Sequence, residues 1–203
     1  MRLSDLSELQ IDALREVGNI GAGHAATALS QLVGKPINLS PPTLELISLQ
    51  EIPRVLGGPE KLVGAVYSRF LGDIEGGMLF MAPRDASLAL ADLMHGREVG
   101  TSRSFGHDEE ALITHTGSIL AAAYLAAIAR FSDLNVLPSK PAFALDMAGA
   151  VLEVATVEVG LKGDTALLLR TNFSDEDTSV EVVLFFLPEQ DSLDTMLGRL
   201  GVV

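Results

Sequence analysis

The chain repeats its own layout, and that repetition limits the folds open to it. Val17-Gly18-Asn19-Ile20 has a counterpart in Thr116-Gly117-Ser118-Ile119. Pro83, Ser87, Leu88 and Gly96 have counterparts, at constant spacing, in Pro188, Ser192, Leu193 and Gly201. Each half reads as a long helix, a proline-broken segment, an acidic hairpin, a proline-capped short helix and a glycine. A half of about 100 residues is too small for a good core of its own, so the strands of both halves should join one sheet. The expectation is an α/β fold spanning 1–203 as a single domain. Its two pseudo-twofold-related helix-strands-helix repeats, about 4–100 and 104–203, share the sheet and place both long helices on one face.

The first long helix is predicted from about Leu6 to Val33, with Ser4 or Ser7 as N-cap and Gly34-Lys35-Pro36 as the stop. At about 100° per residue, Ile11, Leu14, Gly18, Ala22, Ala25, Leu29 and Leu32 fall on one apolar arc. Extended chain follows over Ile37 to Leu49, broken at Pro41-Pro42, with a short segment at Ile52 to Leu56. Leu62 to Phe70 and Gly77 to Met81 read as strands around the turn Gly72-Asp73-Ile74-Glu75-Gly76. Pro83 to His95 reads as a helix ended by Gly96, and Arg97 to Gly106 as the linker. The second long helix runs from about Asp108 to Phe131. Ala144 to Val159 is apolar and reads as helix, strand or one after the other. Ala166 to Asn172 and Val180 to Leu187 are strand-like around the acidic turn Ser174-Asp175-Glu176-Asp177, and Pro188 to Leu200 is a closing helix.

Composition removes several functions. The net charge is -13, and the 14 basic residues form no cluster, which argues against nucleic acid and anionic membranes as partners. Trp is absent and aromatics are 5%, so base-stacking platforms are not expected. Mean hydropathy is +0.34, yet no apolar run reaches the roughly 20 residues of a membrane span. The longest, Ile119 to Ala129, is interrupted by Tyr124. Met-Arg-Leu-Ser-Asp is not a secretory start, and the chain has no Cys, which together fit a cytoplasmic protein. His24, His95, His107 and His115 show no metal-ligand spacing.

The chemistry is expected on the first helix. Asp12, Glu16, Asn19 and Gly23 are spaced four, three and four apart, which makes one outward stripe. Gly18, Gly21 and Gly23 each cost a helix about 1 kcal/mol relative to Ala. Gly18 faces the core, where it lets the helix lie close on its support. Gly23 faces out, where it would let a partner backbone approach. The alternative is that the glycines mark a kink or an early end of the helix. Spacing alone would leave Glu16 and Asn19 as an ordinary solvated face.

Their setting changes that. Glu16-Val17-Gly18-Asn19-Ile20-Gly21-Ala22-Gly23, followed by Ala25-Ala26-Thr27-Ala28, closely resembles the first signature of the CheC family of chemotaxis phosphatases. Gly72-Asp73-Ile74-Glu75-Gly76 resembles the hairpin that follows it there, and length and layout match over essentially the whole chain. The family pattern, Asp/Ser-x-x-x-Glu-x-x-Asn, is carried by Asp12, Glu16 and Asn19. The resemblance implies hydrolysis of the aspartyl phosphate on a CheY-type response regulator. The regulator is expected to bring its own Mg²⁺, so the phosphatase needs no cofactor or metal of its own. Asn19 would orient the attacking water, and Glu16 would pair with the regulator's active-site lysine. Asp12 would either support that contact or be solvated.

In CheC proteins the second long helix often repeats the pair. Here His115 and Ser118 occupy those positions and Ala111 stands for Asp12, so this second site reads as degenerate. The resemblance also leaves two rival readings. One is an adaptor that binds the receptor deamidase CheD. The other is a flagellar switch component like FliY, which the end at Val203 without an added switch domain counts against.

Overall fold

The computed structural model describes residues 3–159, 165–174 and 179–202. A single 3-10 turn at Leu3–Asp5 precedes α1 (Glu8–Val33). There follow β1 (Asn38–Leu39), β2 (Thr43–Ser48), α2 (Ile52–Val55), β3 (Leu62–Gly72), β4 (Gly76–Pro83) and α3 (Arg84–His95). The second series is α4 (His107–Ser132), β5 (Val136–Pro138), β6 (Ala142–Met147), α5 (Ala148–Val159), β7 (Thr165–Ser174), β8 (Ser179–Pro188) and α6 (Gln190–Arg199). The apolar stretch from Ala144 to Val159 is therefore one after the other, strand then helix. The acidic turn expected at Asp175 to Asp177 lies outside the described residues.

All eight strands join one antiparallel sheet in the order β1-β7-β8-β4-β3-β5, with β2 also on β7 and β6 also on β3. Exchanging each strand of the first series for its counterpart in the second turns this order into its own reverse. The central pair is β4 on β8, from Gly76 opposite Pro188 to Met81 opposite Val183. This is the shared sheet expected of two repeats that cannot bury a core singly.

Both faces of the sheet are covered. Val66, Phe70, Met78, Phe80, Leu184 and Phe186 point to the larger core, which α1, α3, α4 and α6 complete. Val63, Ala65, Leu79, Met81, Val183 and Phe185 point to a second, smaller core closed by α2 and α5. The alternation has period two, as strand geometry requires. Burial on both faces explains the near-continuous apolar run of β8 and the high mean hydropathy.

α1 is one unbroken helix through its three glycines. Ser7 caps it in a capping box with Gln10, and Gly34 closes it in the left-handed conformation at φ 74°. The buried face is wider than the periodicity suggests and is turned toward α4: Val17 and Gly21 are buried, while Ile11 is only half-buried. The cause is that α1 packs against α4 as well as the sheet. A Cβ on Gly21 would lie 2.9 Å from Tyr124 Cδ1 and 3.1 Å from Tyr124 Cα. Leu32 points the same way as Leu14, yet it is 45% exposed, so the last turn overhangs what the helix packs on.

α4 is the one helix among the described residues that is long and apolar enough to cross a membrane, and half of its most apolar stretch is buried inside the fold. The hairpin between β3 and β4 is not simply solvated. Ile74 is buried, Asp73 Oδ2 accepts the Asn135 N–H at 2.8 Å, and Ser192 Oγ accepts the Glu75 N–H at 2.7 Å.

Candidate functional site on the outer face of the first helix

Asp12, Glu16, Asn19 and Gly23 are all exposed. On a helical wheel their stripe lies about 160° from the centre of the buried arc. Residues three and four apart on a helix have Cβ atoms about 5–6 Å from each other, so Glu16 and Asn19 present a carboxylate and a carboxamide side by side. Among the described residues neither has a hydrogen-bond or ion-pair partner.

Asp12 differs from its neighbours on the stripe. Its Oδ1 pairs with Arg15 Nη1, three residues on, with both side chains largely exposed. Arg15 was not singled out by its sequence context, although the three-residue spacing of opposite charges was there to be read. The pair screens Asp12 and leaves Glu16 as the unpaired carboxylate of the stripe. A Cβ on Gly23 would meet nothing within 4 Å, so no intramolecular packing explains that glycine. The Gly23 carbonyl accepts the Thr27 hydroxyl at 3.0 Å.

The floor under the stripe is close-fitting. A Cβ on Gly18 would lie 3.1 Å from Leu169 Cδ2 in β7 and 3.7 Å from Pro42 Cγ. Pro42, in the break between β1 and β2, thus supports the middle of α1. Tyr124 buttresses the next turn through Gly21, and burial raises the pKa of its phenol, whose oxygen has no hydrogen-bond partner.

The corresponding stripe on α4 is Ala111, His115 and Ser118, the first two exposed and Ser118 half-buried. With Pro141 and neighbouring α4 residues they line an open hollow of about 390 Å³. His24, His95, His107 and His115 are exposed, and no three His, Asp or Glu side chains among the described residues are grouped as a metal site would need.

A profile of the CheC-like family matches residues 9–46, which carry the whole stripe of α1. Over 200 residues the chain is 34% identical to the CheY-P phosphatase CheC of Bacillus subtilis (strain 168), an alignment covering 97% of this chain and 96% of that one. The chain belongs to the CheC-like family. The flagellar motor switch phosphatase FliY of the same bacterium is 33% identical over 94 residues, which is 46% of this chain and 24% of FliY. The solved structure of Thermotoga maritima FliY superimposes with a TM-score of 0.78 at 15% identity, covering 97% of this chain and 98% of that one. At that identity the likeness is one of fold. It places this CheC-like protein among mixed α/β proteins that wrap one curled sheet with helices.

Proposed function

We propose that this CheC-like protein hydrolyses the aspartyl phosphate of a CheY-type response regulator on the outer face of α1. The observation that carries the reading is the exposed, unpartnered Glu16–Asn19 pair on a rigidly supported helix. The pair occurs in a chain 34% identical to a CheY-P phosphatase over nearly its full length.

An acyl phosphate is already labile, so the enzyme's task is to place a water in line with phosphorus. The water oxygen bonds to phosphorus, the bond from phosphorus to the aspartate oxygen breaks, and the products are the carboxylate and inorganic phosphate. The Asn19 carbonyl oxygen accepts a hydrogen bond from that water and brings no charge to repel the phosphoryl group, as the water-orienting glutamine does in GTPases. Glu16 would be repelled by phosphate, so it serves docking by pairing with the regulator's lysine. Asp12, held by Arg15, flanks that contact, and Gly23 admits the partner's backbone. Mg²⁺ would be held by the regulator, not by this chain, and would offset the phosphoryl charge there. A cytoplasmic location follows from such a partner.

The test is the rate at which a phosphorylated regulator loses phosphate, with and without the protein. Wild type should accelerate the loss, and Asn19→Ala should remove about 100-fold of the acceleration. An Asn19→Ala protein as fast as wild type would refute the mechanism. No acceleration with any regulator of the genome, together with binding of CheD, would make the protein an adaptor.

A further inference from the structure

We propose that Arg15 is a further catalytic residue of the α1 face: on docking it leaves Asp12 and binds the phosphoryl oxygens while the bond from phosphorus to aspartate breaks. The proposal rests on the function assigned to α1 and adds the positive charge that Glu16 and Asn19 do not supply.

The need for that charge is set by the face itself. Glu8, Asp12 and Glu16 recur at every fourth position and are all exposed, so one side of α1 meets the regulator with three carboxylates. The whole chain carries a net charge of -13. An aspartyl phosphate brings further negative charge, and its transition state spreads that charge over the equatorial phosphoryl oxygens. Arg15 is the only Lys or Arg in α1, and it is exposed.

Arg15 also stands in the right place. It precedes Asn19 by four residues and Glu16 precedes Asn19 by three, so both neighbour the carboxamide, one on each side. A guanidinium there reaches the phosphoryl group whose attacking water Asn19 orients. Its planar fork of N–H donors fits two phosphoryl oxygens at once. On α4, where the Glu and Asn positions hold His115 and Ser118, the position of Arg15 holds Thr114. Cation and carboxamide thus occur together on α1 and are both missing from α4.

The resting partner explains how the arginine is held until docking. Arg15 Nη1 donates to Asp12 Oδ1, one turn toward the helix start, the direction in which a helical side chain leans. The two side chains are 48% and 66% exposed, and so solvated an ion pair holds weakly. A phosphoryl group offers more negative charge and more oxygens than one carboxylate, so it displaces Asp12. Arg15 donates hydrogen bonds and gives up no proton. The water oxygen bonds to phosphorus, the electron pair of the breaking bond goes to the aspartate carboxylate, and both water protons stay on the dihydrogen phosphate released. The freed Asp12 then stands beside Glu16, four residues on, where the regulator's lysine docks.

The experiment measures kcat and KM for phosphate loss from a phosphorylated CheY-type regulator with Mg²⁺ present. Arg15→Ala should lower kcat about 100-fold, the scale of one donor to a developing charge, with KM changed less than about threefold. Arg15→Lys should recover about tenfold of that loss, because Lys keeps the charge without the fork. Asp12→Asn should instead act on KM, raising it about threefold. Circular dichroism checks that each variant keeps its helices, and Arg15→Gln replaces Arg15→Ala if that one does not. Arg15→Ala with the wild-type kcat, while Asn19→Ala is slow, overturns the proposal and leaves the function of α1 standing. Equal losses of kcat from Arg15→Ala and Asp12→Asn make the ion pair a brace on the helix and also overturn it. Asn19→Ala at the wild-type rate overturns both.

Discussion

α1 and α4 rest on the sheet alike and differ where they face solvent. Each rests a glycine on the sheet, Gly18 over Leu169 and Gly117 over Val66. Each has a carboxamide or carboxylate at its third residue folded back on the backbone at the helix start. Outside, α1 carries Asp12, Glu16 and Asn19, whereas α4 carries Ala111, His115 and Ser118. Close packing on a shared sheet constrains the inner residues of both helices equally, because each must fit at van der Waals distance. The outer residues meet no such requirement and are free to differ between the two helices.

The largest expected effect separates the two outer faces. Asn19→Ala should lower the phosphatase rate about 100-fold, close to 2.7 kcal/mol of barrier, while Ser118→Ala should leave it within about twofold. Equal losses from the two changes would mean that α4 already works and the contrast is false.

The inner faces should differ in tolerance instead. A Cβ on Gly117 would lie 2.7 Å from Val66 Cβ, an atom fixed to a strand, so Gly117→Ala should cost about 1–3 kcal/mol in chemical denaturation. At Gly18 the nearest atom, at 3.1 Å, is the end of the Leu169 side chain, which can rotate away. Gly18→Ala should therefore stay within about 1 kcal/mol of wild type, helped by the better helix propensity of Ala.

The short helices offer a third contrast. In α3, Asp92 is fully buried, and at the matching position of α6 stands Leu197, also fully buried. Only α3 is followed by the segment that joins the two series, and Asp92 holds that segment. It accepts the Gly100 N–H at 2.9 Å and the Ser102 hydroxyl at 2.7 Å. Burial pushes its pKa up, but the hydrogen bonds from the Ser102 hydroxyl and from the backbone N–H groups of Ser102 and Gly100 outweigh that and leave it below the usual carboxylate range. Asp92→Ala should cost about 1–3 kcal/mol near pH 7, since those donors lose their acceptor. Because the folded pKa is depressed, this contribution is fully present above the unfolded value of about 3.9. It is lost as pH falls through the lower folded value, so wild type and variant should converge in acid titrations of stability.

The smallest effect lies at Thr116, the counterpart of Val17. Its hydroxyl is buried without a hydrogen-bond partner, whereas Val17 is an apolar side chain of the same shape. Thr116→Val should stabilise the protein by about 1 kcal/mol, read as a higher denaturation midpoint at unchanged slope.

Much of this was legible in the chain. The glycine-punctuated stripe on α1, its exposure, a serine cap at Ser4 or Ser7, the Gly34 stop and the loss of the matching groups on α4 all follow from local spacing and residue chemistry. These are short-range properties: helix periodicity and capping act over a few residues, so the sequence states them directly. Other features depended on what lies across the fold. That α1 turns toward α4 through Gly21 and Tyr124, that Leu32 overhangs, that Asp73 ties its hairpin to Asn135, and that α5 seals a second core could not be read from one segment. Each is decided by a neighbour far away in sequence, and sequence spacing holds no record of which surfaces meet. The sequence by itself determined which groups the first helix shows to solvent. Only the tertiary structure decided that they stand on a fitted floor and that the second helix likewise rests a glycine on the sheet without the groups, because support is a matter of contact between distant residues.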